Sequence, residues 1–227
     1  MDALTLQYAK VVFAKVQSVY DLHRDLSRAF GKRETAGYLF RTDLDRSEGT
    51  ARRVALVQSS APGEWSALGD KVAHAEVRER RWELAPGQRY RFFLRANVTR
   101  TKKAGLHELA DVPKEAFLAA RGKRVALRGE LELFGWLGRQ GEKHGFRCLE
   151  TAFAQDGGAP VMVPAVRVGP RLDVEWRGNG KRGQHAGADF EGLLEIENAE
   201  KVAAALQRGI GPAKAFGFGL LSLAPAR

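Results

Sequence analysis

Arg208-Gly209-Ile210-Gly211-Pro212-Ala213-Lys214-Ala215-Phe216-Gly217-Phe218-Gly219-Leu220-Leu221-Ser222-Leu223 stands near the end of the chain, and the rest of the sequence is read outward from it. Ala199 to Gln207 before it has the spacing of a short amphipathic helix, and Gly219 to Leu223 reads as an apolar strand. The glycines therefore occupy a helix-to-strand connection. Glycine lets backbone N–H groups turn toward an anion with no Cβ in the way, and Lys214 adds a charge. The same glycines also suit a tight turn under a helix, and both uses stay open. A P-loop places Gly-Lys-Ser/Thr ahead of a helix, whereas this run follows one; the dinucleotide fingerprint fails because Lys214 stands at the third glycine position. Lys214 to Phe218 echoes the RNA-recognition signature, but with eight residues after Gly219 it belongs to a final strand and not to the base-stacking one.

That ending closes a βαββαβ unit, and two such units account for the chain. The first takes a strand over Leu4 to Phe13, a helix from the Ser18 cap to about Phe30 closed by Gly31, and strands at Tyr38 to Asp43 and Arg53 to Gln58. A helical turn at Glu64 to Leu68 and a strand at Ala75 to Leu84 complete it. After the Ala85-Pro86-Gly87 break, Arg89 to Val98 opens a second unit with a helix over Glu130 to Glu142 and a strand over Phe146 to Phe153. Strands around Val161 to Val168 and Leu172 to Arg177 follow, then Phe190 to Ile196 and the helix from Ala199. The expected fold is α+β, tandem ferredoxin-like domains spanning 1–84 and 88–227. The second carries an inserted β-hairpin whose Asn179-Gly180 turn lies at a basic tip, with a flexible loop as the alternative reading.

Net charge is +10, from 37 Lys and Arg against 27 Asp and Glu, which favours a polyanion as partner. The basic residues are segregated. Gln88 to Lys103 holds six and no acid, Arg121 to Arg128 four and no acid, and the hairpin adds Arg167, Arg171, Arg177, Lys181 and Arg182 against Asp173 and Glu175. Such segregation is what a surface that neutralises phosphates requires. Cys148 is the only cysteine, and Asp43, Asp45, His74, His107, His144 and His185 show no ligand spacing, so neither metal nor nucleotide cofactor is expected. No signal peptide or membrane span is read, and a cytoplasmic protein is expected.

On the first helix, Val19, Leu22, Leu26, Ala29 and Phe30 fill an apolar arc of about 100°. His23 lies about 20° outside that arc, with Tyr20, Arg24, Ser27 and Arg28 continuing round the expected wet side. An imidazole moves protons near neutral pH, a phenol at i−3 can position or trade one, and guanidinium groups a turn away stabilise charge on a phosphorane. These are the needs of metal-free RNA cleavage by the 2′-hydroxyl.

Three strings carry a resemblance: Ser18-Val-Tyr20-Asp-Leu-His23-Arg24, Phe93-Leu-Arg95-Ala-Asn97, and Gly209-Ile-Gly-Pro-Ala-Lys214-x-x-Gly217-x-Gly-Leu-Leu-Ser-Leu-Ala-Pro225. In this order along the chain they resemble the CasE family, the repeat-processing endoribonucleases of type I-E CRISPR systems. The resemblance implies two ferredoxin-like domains that bind the hairpin of a CRISPR repeat transcript and cut it at its 3′ base. It implies a 2′,3′-cyclic phosphate product, retention of the crRNA, and entry into Cascade with its other subunits. The family's Tyr-x-x-His falls on Tyr20 and His23, with Arg28 assisting. The RNA is then held by Arg24, Arg95, Arg100, Arg124, Arg177, Lys181 and Arg182, and by the loop of Gly209, Gly211, Lys214, Gly217 and Gly219. Whether His23 acts as base or acid stays open, and a non-catalytic RNA-binding scaffold is the alternative.

Overall fold

The computed structural model describes residues 3–15, 18–31, 37–45, 52–101, 124–153, 159–178 and 181–226. Its first sheet contains β1 (Leu4–Phe13), β2 (Tyr38–Asp45), β3 (Arg52–Ser59) and β4 (Val72–Trp82) in the order β2-β3-β1-β4. The β1–β3, β1–β4 and β2–β3 pairs are all antiparallel, which is the ferredoxin-like arrangement. α1 (Val19–Phe30) starts at Ser18, whose hydroxyl accepts from the Asp21 N–H, and ends at Gly31. The second helical position holds a 3₁₀ turn, Trp65–Lys71, bent at Gly69. Alternation along β1 sends Ala9, Val11 and Phe13 to α1, where Leu22, Leu26 and Ala29 meet them in one buried cluster.

In the second half, β5 (Arg89–Ala96) and the short β6 (Thr99–Thr101) and β7 (Arg124–Ala126) precede α2 (Glu130–His144). The expected strand over Phe146 to Phe153 is two: β8 (Phe146–Cys148) stays on the sheet, and β9 (Glu150–Phe153) leaves it to pair with β10 (Val161–Pro164). β11 (Val166–Val168) then returns to the same edge. β12 (Leu172–Gly178), β13 (Lys181–Ile196), α3 (Ala199–Arg208) and β14 (Leu221–Pro225) follow. The order β11-β13-β5-β14 repeats the ferredoxin pattern, with β8 and β12 also on β13. Sequence reading started this strand at Phe190. Its true length of 16 residues makes the inserted hairpin and the central sheet one continuous strand.

The halves are fastened by side chains that cross the break at 85–87. Leu6 and Trp82 lie in the second half's core, while Val174 and Phe216 pack on the first. Gln58, 2% exposed, donates to the Leu206 carbonyl of α3. Arg95 donates to the Thr42 carbonyl at 2.6 Å and meets Asp43 at 3.1 Å and Asp189 at 2.8 Å. The Arg41 guanidinium stacks over Phe93 at 4.1 Å. Among the described residues no helix is long and apolar enough to cross a membrane.

Candidate functional site

α1 brings two sequence-predicted catalytic groups, Tyr20 and His23, onto one partly exposed flank. His23 is less wet than its helical angle suggests. Its ring lies parallel to Phe40 of β2, centroids 6.5 Å apart, and Nδ1 is 3.2 Å from the Tyr38 hydroxyl. Ser27, read as solvent-facing, is drawn in too: its Oγ lies 3.1 Å from the same hydroxyl and donates to the His23 carbonyl at 2.8 Å.

The opposite flank of α1 holds a carboxylate that sequence reading missed. Asp25 is 1% exposed, with Lys71 Nζ at 2.5 Å and Arg28 Nη1 at 3.5 Å. A buried carboxylate requires such partners, because desolvating an unpaired charge is costly. Arg28 is thereby held along the helix, and Arg24 pairs with Asp21 at 3.0 Å. The signal available in the sequence was an acid at i−3 to Arg28. Lys71, 46 residues away, carried no such sign.

The glycine loop folds against this helix. Its 3₁₀ turn, Lys214–Phe216, packs beside α1 and β2, and β12 of the basic hairpin packs beside α1 as well. Although the hairpin is far from Tyr20 and His23 along the chain, its base is their neighbour in space. Gly209, Gly211, Gly217 and Gly219 all have positive φ. A Cβ on Gly219 would lie 2.7 Å from the Ile210 carbonyl, and one on Gly209 would lie 2.8 Å from the Gly219 carbonyl, so these two are demanded by close backbone approach. The N–H groups of Gly209, Gly217 and Gly219 donate to Ala205, Lys214 and Arg95 carbonyls. The tight-turn use thus accounts for those three. Ala213 is the one non-glycine with positive φ among the described residues, immediately before Lys214.

Ala213 and Pro212 also line a cleft of about 370 Å³ with Arg124, Arg128, Arg171 and His185. Burial pulls the His185 imidazole pKa down, and its Nε2 is buried without a hydrogen-bond partner among the described residues. Its ring sits 4.5 Å from Phe216 and stacks on Trp176. Three arginines from two segments thus converge beside the glycine loop. Arg100 is instead 3.4 Å from Glu132, and Arg95 is turned into the seam between the sheets, 14% exposed. On the hairpin, Arg177 and Arg182 are direct cross-strand partners, both exposed. Like charges so placed repel, and a bound polyanion relieves the repulsion. The Asn179-Gly180 turn, the Lys181 side chain and His107 lie outside the described residues. Among those described, no group of three His, Cys, Asp or Glu could hold a metal ion.

Comparison with known proteins places this geometry. The family model for CRISPR associated proteins matches residues 3–225. The chain is 36% identical over 210 residues to the CRISPR-associated endoribonuclease Cse3 of Thermus thermophilus, covering 91% of this chain and 90% of that protein. It is 30% identical over 223 residues to the Cascade subunit CasE of Escherichia coli K12, covering 96% and 98%. It is also similar to a solved structure of Cse3 bound to a 19-nucleotide RNA, with a TM-score of 0.74, 32% identity, and 97% and 98% of the two chains covered. A match over nearly the whole length, and a sheet order shared by both halves, leave one assignment: the chain belongs to the CRISPR-associated protein family, in its CasE group.

Proposed function

We propose that this protein is the endoribonuclease that processes CRISPR repeat transcripts, binding the repeat hairpin and remaining with the crRNA alongside other Cascade subunits in the cytoplasm. The observation that carries the reading is convergence. A helix bearing Tyr20 and His23, a turn bearing Lys214, and a basic two-stranded ribbon come from three distant stretches and pack together. The unit over 1–84 supplies the reacting groups, and that over 88–227 supplies most of the grip.

In this reading the ribbon with Arg177, Lys181 and Arg182, and the cleft with Arg124, hold the stem by its phosphates. Gly211 and Lys214 hold the strand near the cut, and Arg100 adds charge at the edge. Gly209, Gly217 and Gly219 shape that loop. The seam arginine, Arg95, supports the surface from beneath. At the cut, the 2′-hydroxyl attacks the adjacent phosphorus and the 5′-oxygen leaves, giving a 2′,3′-cyclic phosphate and a 5′-hydroxyl. His23 and Tyr20 move the two protons, and Arg24 and Arg28 face the charge on the phosphorane. Arg28 stands where a lysine would serve as a point charge, and its planar fork is held by Asp25.

The deciding experiment is cleavage of a cognate repeat hairpin in excess EDTA. Full activity and a cyclic phosphate end are expected, since the nucleophile is internal to the substrate. Activity that disappears in EDTA and returns with magnesium rejects the mechanism.

Replacing Arg177, Lys181 and Arg182 together by Ala should weaken hairpin binding and flatten its salt dependence. Each phosphate that the variant no longer neutralises lowers the slope of log K against log salt by about 0.9, the duplex-DNA value. Cleavage at saturating protein should persist, because the packing of Val174 that anchors the ribbon to the α1 core is untouched. Equal slopes for variant and parent would move the stem off the ribbon.

A further inference from the structure

The arginines of α1 are tied to carboxylates, Arg28 to Asp25 on the flank toward Lys71 and Arg24 to Asp21. The sheet under the other flank, where Tyr20 and His23 stand, carries a guanidinium with no ion pair among the described residues: Arg53 of β3. Register fixes its place. Arg53 pairs with Phe13 of β1 and Leu44 of β2, and residues directly opposite one another share a face, so it stands on the α1 side with the buried Phe13. Its Nη1 donates to Thr42 Oγ1 at 3.4 Å, which turns it toward β2, the strand that His23 faces. α1 runs against β2, with Phe30 stacked on Tyr38 and His23, earlier in the helix, on Phe40. One step further along the same face, Thr42 and then Leu44 reach the level of Tyr20 and the helix start.

We infer that Arg53 is a further catalytic residue, which grips the phosphate at the cut from the sheet side and donates to a non-bridging oxygen as charge gathers there. The inference rests on the proposed function in placing the cut at Tyr20 and His23. Little of this guanidinium is spent on the protein. Its Nε is buried without a hydrogen-bond partner, and its bond to Thr42 is long. Asp43 alternates to the other face of β2, where it meets Arg95 at 3.1 Å and Arg41 at 3.9 Å. Burial accordingly pulls the Arg53 pKa down, with Asp43 opposing it only in part. A half-buried cation so poorly paired is costly, and a phosphate matches its planar fork. The way in is open, since Leu44, its register partner, is 45% exposed. The turn of Lys214–Phe216 packs beside both α1 and β2, so a second cation borders the same trough.

The test couples the side chain to the phosphate it is assigned. Arg53→Gln should melt with the parent, because no ion pair is lost, and should cut a cognate hairpin about a hundredfold more slowly at saturating protein, the usual effect of removing one donor to a developing oxyanion. Arg53→Lys, which keeps the charge, should recover part of that rate. Binding is then measured to a hairpin made uncleavable by a 2′-deoxy nucleotide at the cut, with either the natural phosphate or a neutral methylphosphonate there. Loss of the charge should weaken parental binding about tenfold and that of Arg53→Gln by less than about threefold, since a charge-assisted hydrogen bond has already gone. Equal penalties in the two proteins overturn the inference, and a slower variant with equal penalties and a lower melting temperature makes Arg53 structural. A parent that binds the hairpin and never cuts it rejects the proposed function instead, whatever the penalties, so the two failures are separable.

Discussion

His23→Ala binds a cognate repeat hairpin within a few fold of the parent and cleaves it at least a hundredfold more slowly. Removing a group that transfers a proton in the transition state typically costs ~10²–10⁴ in rate. In the proposed reading affinity is carried elsewhere, by the charged ribbon, the arginine cleft and the glycine loop. The ring is half-buried against Phe40, so the truncation opens little of the core, and Leu22 and Leu26 still anchor α1. Single-turnover cleavage and equilibrium binding on one preparation check the split. A fall in binding that matches the fall in cutting would favour the scaffold reading, in which Tyr20 and His23 touch the RNA without chemistry.

Arg95→Met destabilises the protein by ~3 kcal/mol, the usual range for breaking a buried ion pair by removing one partner. Burial by itself draws the guanidinium's pKa down, but its bonds to Asp189 and then to Asp43 raise it beyond the ordinary arginine value. The seam therefore favours the charged form of the guanidinium. Without it, Asp189 on β13 loses its partner, the Thr42 carbonyl loses a donor, and the two sheets lose a clamp. For a chain of this size the melting temperature should fall by about 6–12 °C. Hairpin binding by the folded variant should keep the parental salt slope. A variant with parental melting temperature and a slope reduced by about 0.9 would return Arg95 to the RNA.

Helix boundaries, strand order and the charge pattern are local properties, and they were legible one residue at a time. Ser18 and Gly31 bracket α1 where cap chemistry puts them, and alternation along β1 predicts which of its side chains meet the helix. The Tyr20–His23 pair was legible because one turn of helix places i and i+3 on one flank whatever surrounds it. The Gly209–Gly219 loop was legible in position but not in use. Positive φ follows from the residue type. Which N–H groups remain for an anion depends on carbonyls of Ala205, Lys214 and Arg95, the last from β5, and no spacing encodes that.

The fates of residues at the edge of the α1 arc were set by neighbours from other elements. Asp25 and His23 flank the apolar stripe on opposite sides, about 40° and about 20° beyond it by helical angle. From the helix alone both are surface residues. The 3₁₀ turn brings Lys71 over one flank, and β2 brings Tyr38 and Phe40 over the other. The same holds for Arg95, one arginine of a basic run in the sequence and an ion-paired clamp in the fold. Backbone propensity, capping and periodicity act over a few residues, so the chain by itself determines its two βαββαβ units and its basic stretches. Burial, ion pairing and the hydrogen-bonded state of an imidazole depend on what lies across a few ångströms of space. Only the packing of the two sheets against each other decided which of the many arginines hold the protein together.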